Sequence, residues 1–313
     1  MSKILVFSLL ILVQLTYFHS ENKAQGCSDA GFCTMGALKP DQGYSKRVSV
    51  RLRSIELSHY LGVTRFKDLI YNYTVDLNVG LGQRTTVQIK LPYARVEGVL
   101  KNTNGLGDLS LGVTRNLITR DNYQLNASVG TKIPTGSSNE KLDGKPLPMY
   151  YQPGLGTYDI VAGISVISKG WLFAAGYQQS LNRTENDFWW SDWEGDPQEE
   201  TARAYKQSRM LDRGKDVMLR VEKNFRFSNY NFNIGLLPIY RINNDTNISR
   251  GDVTNEIDGS SGLALTLLIG GGYQFSVKSA IKIMNGFRLI QRPHNPDGLS
   301  REFVSNIGYA YRF

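Results

Sequence analysis

The sequence predicts an all-β chain: a transmembrane, antiparallel, up-and-down β-barrel of about 12 strands, with long external loops and short periplasmic turns. Three observations predict it. Apolar and polar residues alternate with period two over long stretches. Most of these stretches run 11 to 14 residues, whereas globular strands have about 5–6 and a tilted strand needs about 9–11 to cross a bilayer. The connections between them are alternately short and long, as in barrels whose turns lie on one side of a membrane and whose loops lie on the other.

The composition agrees. Of 313 residues, 41% are hydrophobic, with 31 Gly and 17 Tyr, and the mean hydropathy is −0.30. This suits strands and tight turns better than helical spans. The first 24 residues read as a secretory signal. Lys3 supplies the charge, and Ile4–Val13 is an apolar run broken only by Ser8, too short to span a bilayer as a helix. Cleavage near Ala24 removes Lys3, Glu21 and Lys23, one net positive charge of the formal +8. No run of Lys and Arg occurs, so the excess points to an anion path or an acidic lipid surface rather than to nucleic acid.

Residues 25–44 form a periplasmic N-terminal segment that could enter the barrel as a plug. It holds both cysteines, Cys27 and Cys33. In an oxidising compartment a disulfide is the default for such a pair. Lipidation of Cys27 and metal binding are the other readings, although two thiolates without a nearby His make an incomplete zinc site.

The barrel occupies 45–313. Its strands are expected near 47–57, 69–80, 84–94, 106–117, 122–132, 157–167, 171–182, 215–227, 229–241, 261–274, 277–289 and 301–313. In the second, Tyr71, Tyr73, Val75, Leu77 and Val79 alternate with Asn72, Thr74, Asp76 and Asn78, one face for lipid and one for an aqueous interior. The third, fifth, seventh, ninth and tenth repeat the pattern. Aromatic residues cluster near strand ends, among them Tyr93, Tyr123, Tyr158, Trp171, Tyr230, Tyr240, Tyr273 and Phe275, as interfacial girdles do. The last strand alternates from Phe303 to a terminal Phe313. It resembles the C-terminal signature read by the barrel-assembly machinery of bacterial outer membranes.

Parity also selects the lumen. Arg47, Arg51, Arg53, Lys90, Lys132, Arg220, Lys282, Arg288 and Arg312 fall on the inward set, with Asp76, Asp108, Asp159 and Glu222. Nine bases against four acids predict a net positive interior favouring anionic solutes, since charged rings set selectivity in such pores. The same residues could instead pair to fill a narrow barrel. Twelve strands lie between the roughly 8 of a filled interior and the 16–18 of open porins, so a narrow path is expected. In the 183–214 loop, Trp189, Trp190 and Trp193 interleave with Asp187, Asp192, Glu194 and Asp196. The indoles could stack on a ligand, constrict the pore, or pack within the loop; the acids could bind divalent ions.

Three short motifs carry a family resemblance: Gly105-Leu106-Gly107-Asp108-Leu109, Lys132-Ile133-Pro134-Thr135-Gly136 and Gly154-Leu155-Gly156-Thr157-Tyr158-Asp159-Ile160. In this order they resemble the outer-membrane transporter family named for a phenol meta-cleavage pathway, which is distantly similar to long-chain fatty-acid channels. The resemblance implies an outer-membrane location and transport, without naming a substrate. The glycines suit turns or close backbone approach. Asp108 and Asp159 are expected to be solvated by the lumen or paired with a lumen base.

No Gly-x-Ser-x-Gly elbow and no His-Glu-x-x-His pair occurs. His59 and His294 are the only histidines beyond the leader, and both are expected on surface loops. The expected role is a cofactor-free, non-enzymatic outer-membrane channel for small, hydrophobic or anionic solutes, in contact with outer-membrane lipid and lipopolysaccharide. A structural or adhesive barrel acting through its loops is the first alternative and an outer-membrane hydrolase the second.

Overall fold

The computed structural model of the chain describes residues 50–313. The leader, the 25–44 segment with Cys27 and Cys33, and Arg47 lie outside the described residues, as does the side chain of Arg51. The strands are β1 (Val50–Val63), β2 (Leu69–Leu81), β3 (Thr85–Glu97), β4 (Asn102–Leu106), β5 (Leu109–Thr119), β6 (Tyr123–Ile133), β7 (Lys141–Leu142), β8 (Lys145–Pro146), β9 (Asp159–Ser168), β10 (Trp171–Ser180), β11 (Asp216–Phe227), β12 (Tyr230–Arg241), β13 (Asp245–Ile248), β14 (Thr254–Ile257), β15 (Gly262–Gln274), β16 (Ser279–Ile290) and β17 (Phe303–Arg312).

Two of the pairs, β7–β8 and β13–β14, are small hairpins within loops; the other 13 strands form one sheet. In it β4 and β5 follow one another along β3, so the wall is a closed 12-strand antiparallel barrel. The break between β4 and β5 faces Pro92, which has no N–H to give; its carbonyl instead accepts from Gly107 N at 2.9 Å. Each strand pairs with its sequence neighbours, and β17 returns to β1. The β17–β1 pairing closes the wall and leaves the sheet no free end strand to either side of it, a condition for exposing a sheet to hydrocarbon.

Short and long connections alternate as expected. One two-residue turn is Lys169-Gly170, where φ is 46° and 80°. Both residues are left-handed, the two-residue hairpin geometry that matches strand twist. Large apolar residues such as Val75, Leu91, Val129, Ile164, Leu219, Leu236 and Ile307 are exposed on the outer wall. Tyr73, Tyr93, Tyr158 and Tyr240 are exposed toward the loop end, and Tyr123, Trp171, Tyr230, Phe275 and Phe313 toward the turn end. At roughly 25 cal/mol per Å², such an apolar belt is costly in water and favourable in lipid. Among the described residues no helix is long and apolar enough to cross a membrane.

β1 departs from expectation in two ways. It runs to Val63 rather than to 57, because Ser58–Val63 pair with both β2 and β17. His59 is therefore a strand residue, packed against the rings of Tyr71 and Tyr73, instead of a loop histidine. The register also slips between Leu52 and Ser54, where Arg53 is the extra residue of a bulge. The bulge reverses parity, so that Glu56, Ser58 and Tyr60 point inward.

The interior is not uniformly polar. Val161, Leu172, Ala174, Met218, Leu237 and Leu268 point inward from β9–β12 and β15 and pack on one another. On the opposite wall hydrogen-bonded pairs fill the inside: Gln88 donates to Asp76 at 2.7 Å, and Thr114 and Ser128 share a bond of 2.6 Å.

Candidate functional site: a lumen closed by inward loops

The loop of residues 134–158 enters the barrel through a knot made of the three glycine motifs. Asp108, buried at the β4–β5 break, accepts the backbone N–H of Leu155 at 2.7 Å and that of Gly136 at 3.2 Å. Thr135 donates to the Gly107 carbonyl at 2.8 Å and accepts from Leu109 N at 3.0 Å. A Cβ on Gly154 would lie 2.4 Å from the Asp108 carboxylate, and one on Gly136 would lie 2.5 Å from Leu106 O. Only glycine permits that approach. Asp108 therefore ends up neither solvated nor paired with a base, because the loop's own N–H groups reach it first.

Beyond the knot, the short 3₁₀ turn Met149–Tyr151 lies inside the barrel mouth. Tyr151 O accepts from inward-facing Thr103. The phenols of Tyr151 and Tyr205 both donate to Asp68, at 2.8 and 2.9 Å, and lie 3.0 Å from each other. Burial, and after it the Asp68 charge, holds both phenols well above the ordinary tyrosine value. Loops 64–68, 134–158 and 181–215 thus converge on one carboxylate. Asn186 ties the last two together, donating to Ser138 O and Leu147 O at 3.0 Å and accepting from Ser208 at 2.7 Å.

The tryptophan loop packs on itself and on its neighbours. Trp193 is fully buried and donates to Pro146 O at 3.0 Å; Trp190 donates to Tyr205 O at 2.8 Å. Trp189 is half-buried. The acids are engaged by bases: Asp192 by Arg250, Asp196 by Lys145 and Asp187 by Lys141 and Arg209. Among the described residues no group of three or more acids, His or Cys could hold a metal.

A second lock holds loop 291–302. Arg241, at the outer end of β12 and 1% exposed, binds Asp216 at 2.8 and 2.9 Å, Asp245 at 2.9 Å and Asp297 at 2.9 Å. Burial acts to raise the Asp297 pKa, but Arg241, Arg292 and Arg213 outweigh it and hold the carboxyl well below the usual carboxylate range. Asp159 pairs with Arg213, and Gln178 also donates to it at 2.6 Å. Its partner is thus a loop arginine rather than a lumen base. A Cβ on Gly298 would lie 2.7 Å from the backbone at Met149–Tyr150, so loops 291–302 and 134–158 press together into one plug.

Beneath the plug lies a cavity of about 270 Å³. It extends from Met149, Tyr150 and Leu299 down to Asn231, one residue inside the 228–229 turn. Glu56, Asp76, Asp108, Glu222 and Asp297 line it, as do Lys90, Lys132, Arg220, Lys282 and Arg301. Among the described lining residues acids and bases balance, whereas the strands alone predicted a net positive interior. The difference comes from Glu56, turned inward by the bulge, from Asp297, brought in by a loop, and from bases drawn aside. Arg53 donates to Thr86 and Gly82 O at 3.2 Å, and Arg288 is bound by Glu302. Lys90 lies 3.6 Å from Asp76, and Arg220 pairs with Glu222. Arg312 sits at the turn end of β17, its backbone N–H bonded to Lys278 O at 2.7 Å.

The charges follow the register. Glu56 pairs with Asp76, Asp76 with Lys90, Lys90 with Ser110, Ser110 with Lys132 and Lys132 with Asp159. Because the strands tilt, this one row climbs from the turn half to the loop end. Asp68, Asn186, Arg213, Arg241 and Asp297 escaped the sequence reading. Nothing local marks their use, since the partners that tie the loops together lie far off in the chain.

Among solved structures, the fold is similar to an outer-membrane channel from Pseudomonas putida F1, at 15% identity and TM-score 0.57, over 88% of this chain and 100% of that one. A likeness to the NanC porin has 12% identity and TM-score 0.48, over 84% and 100%. At these identities the likeness is one of fold. No family model matches the chain, and no curated protein does.

Proposed function

We propose that this chain is an outer-membrane channel passing small solutes down a gradient, with a plug of its own loops at the external mouth. The observation that carries the reading is the closed barrel with an apolar exterior and a cavity, charged on one side and apolar on another, running from the plug to the inner turns. Such a wall belongs in lipid, and a cavity lined by charged and amide side chains has no structural use in a barrel that could be filled like its neighbouring apolar sector. Movement of the plug opens the path. The family resemblance on the three glycine motifs fits this role, since those motifs build the loop entry; no lumen residue speaks for a phenol-derived substrate. Lipid and lipopolysaccharide surround the belt, and β17, which closes the barrel, is the segment the assembly machinery reads.

Two observations disfavour the alternatives. The long loops spend their aromatic residues inside the plug, which leaves little for adhesion. For a hydrolase, a histidine must meet a nucleophile. Yet His59 faces outward against tyrosines, and the Nδ1 atoms of His59 and His294 have no hydrogen-bond partner. The test is liposome swelling with the purified barrel. Vesicles carrying it are expected to admit monosaccharide-sized solutes faster than empty ones. A folded, heat-modifiable barrel that leaves vesicles as tight as empty ones overturns the reading.

A further inference from the structure

We propose that the cavity beneath the plug binds a small zwitterion with an apolar body, of which an α-amino acid with an apolar side chain is the simplest member. The inference rests on the channel reading and adds a solute class to it.

The register grades the wall from charged to apolar over four successive inward rows. Nearest the turns is the charged row of Glu56, Asp76 and Lys90 on β1–β3. Above it comes a row of Gly308, Ser58 and Thr74, and above that Asn306, Tyr60 and Asn72 are paired in a mixed row. Above that, Val304, Gly62, Ile70 and Val96 make an apolar row against which the plug rests. Met149, Tyr150 and Leu299 continue the apolar surface across the roof. A solute held between the charged row and this roof meets charge at one end and hydrocarbon at the other.

The charged end carries both signs at neighbouring positions. Glu56, Asp76 and Lys90 sit on adjacent strands, about 4.8 Å apart. A Cβ on Gly308 would be 3.2 Å from the Glu56 carboxylate, and Gly308 is the register partner of Lys282. Glu56 therefore leans across β17 toward a lysine. With acids and bases balanced among the described residues around the cavity, a lone anion or cation gains a partner only by stripping one from its neighbour, and a buried unpaired charge is costly. An ammonium and a carboxylate on one carbon insert into such a pair without leaving a charge behind. The roof adds one polar feature: Tyr150 is buried and its hydroxyl has no partner in the protein. A side chain ending in a hydrogen-bonding atom satisfies it.

The test is calorimetric titration of the detergent-solubilised barrel at pH 7 with L-phenylalanine, 3-phenylpropionate, 2-phenylethylamine and 2-phenylethanol, four probes sharing one ring. Phenylalanine is expected to bind at least tenfold more tightly than each of the others. Equal or tighter binding of the anion, the cation or the alcohol, or no binding of any, overturns the proposal. Lys90→Gln and Asp76→Asn are each expected to weaken phenylalanine about tenfold; retained affinity in both, with heat-modifiable migration showing a folded barrel, counts against the site. If either fails to fold, the four probes on the unaltered protein decide. L-tyrosine is expected to exceed phenylalanine about threefold, an advantage abolished by Tyr150→Phe. Bilayer conductance, measured separately, tells the two readings apart: conductance without binding removes the site and leaves the channel, while binding without conductance removes the channel.

Discussion

The barrel wall and the plug inside it are held by opposite means. The wall relies on repetition: ladder after ladder of backbone hydrogen bonds, and an apolar belt in which no single side chain is decisive. The plug relies on a few buried polar atoms, each serving several loops at once. Asp68 receives Tyr151, Tyr205 and Thr64. Arg241 serves three carboxylates drawn from β11, β13 and loop 291–302. The difference teaches where the molecule can change state. A repeated structure loses little when one contact fails, whereas a structure pinned at a few points is released by losing one.

The sharpest way to break the comparison is Arg241→Met. It leaves Asp216, Asp245 and Asp297 buried around an apolar side chain. Breaking a buried ion pair by removing one partner typically costs about 3–5 kcal/mol. The barrel is expected to stay closed, since the Arg241 backbone pairing with Asp216 and Gly262 is untouched. Loop 291–302 is expected to come free, raising single-channel conductance several-fold and exposing the loop to added protease. Unchanged conductance and an unchanged digestion pattern would show that the plug is as redundant as the wall.

The same contrast explains what could be read from the sequence. Wall residues announce themselves every second position, so inward Asp76, Lys90 and Glu222 and outward Leu219 or Leu236 needed only parity. That rule failed where its period was interrupted. At Arg53 one extra residue turned Glu56 inward, and no composition cue marks a bulge. On β9–β12 parity held and the expectation of a polar interior did not: Val161, Leu172, Met218 and Leu237 face inward because part of a narrow barrel is packed rather than hydrated. The plug was illegible for a different reason. Tyr205 meets Asp68 across 137 positions and Arg213 meets Asp159 across 54, so their chemistry exists only after the wall has brought the loops together. The glycine motifs were visible, and their use as a loop entry was not.

A gentler probe of the plug is pH. In a released loop Asp297 titrates near the ordinary aspartate value of about 3.9; in the plug Arg241, Arg292 and Arg213 hold it well below that, against the opposing effect of burial. A depressed carboxylate contributes stability that is complete above the unfolded value and is lost as pH falls through the folded one. Conductance is therefore expected to stay flat from pH 7 to about 4.5 and to rise only under stronger acid. A rise centred at pH 5 to 6 would mean that some other group controls the loops.

The smallest effect is expected from the wall. Tyr230 is exposed at the turn end and packs against Tyr273 with ring centroids 4.8 Å apart. Aromatic pairs contribute about 0.5–1.5 kcal/mol beyond their buried area, and in Tyr230→Leu the leucine keeps much of the apolar contact with lipid. The midpoint of heat-modifiable unfolding should fall slightly while conductance stays the same, because the Tyr230 backbone still pairs with Phe227 and Tyr273 and the plug loops lie at the other end. If instead the substitution opened the pore, wall and plug would be mechanically coupled, and the division of labour between them would have to be abandoned.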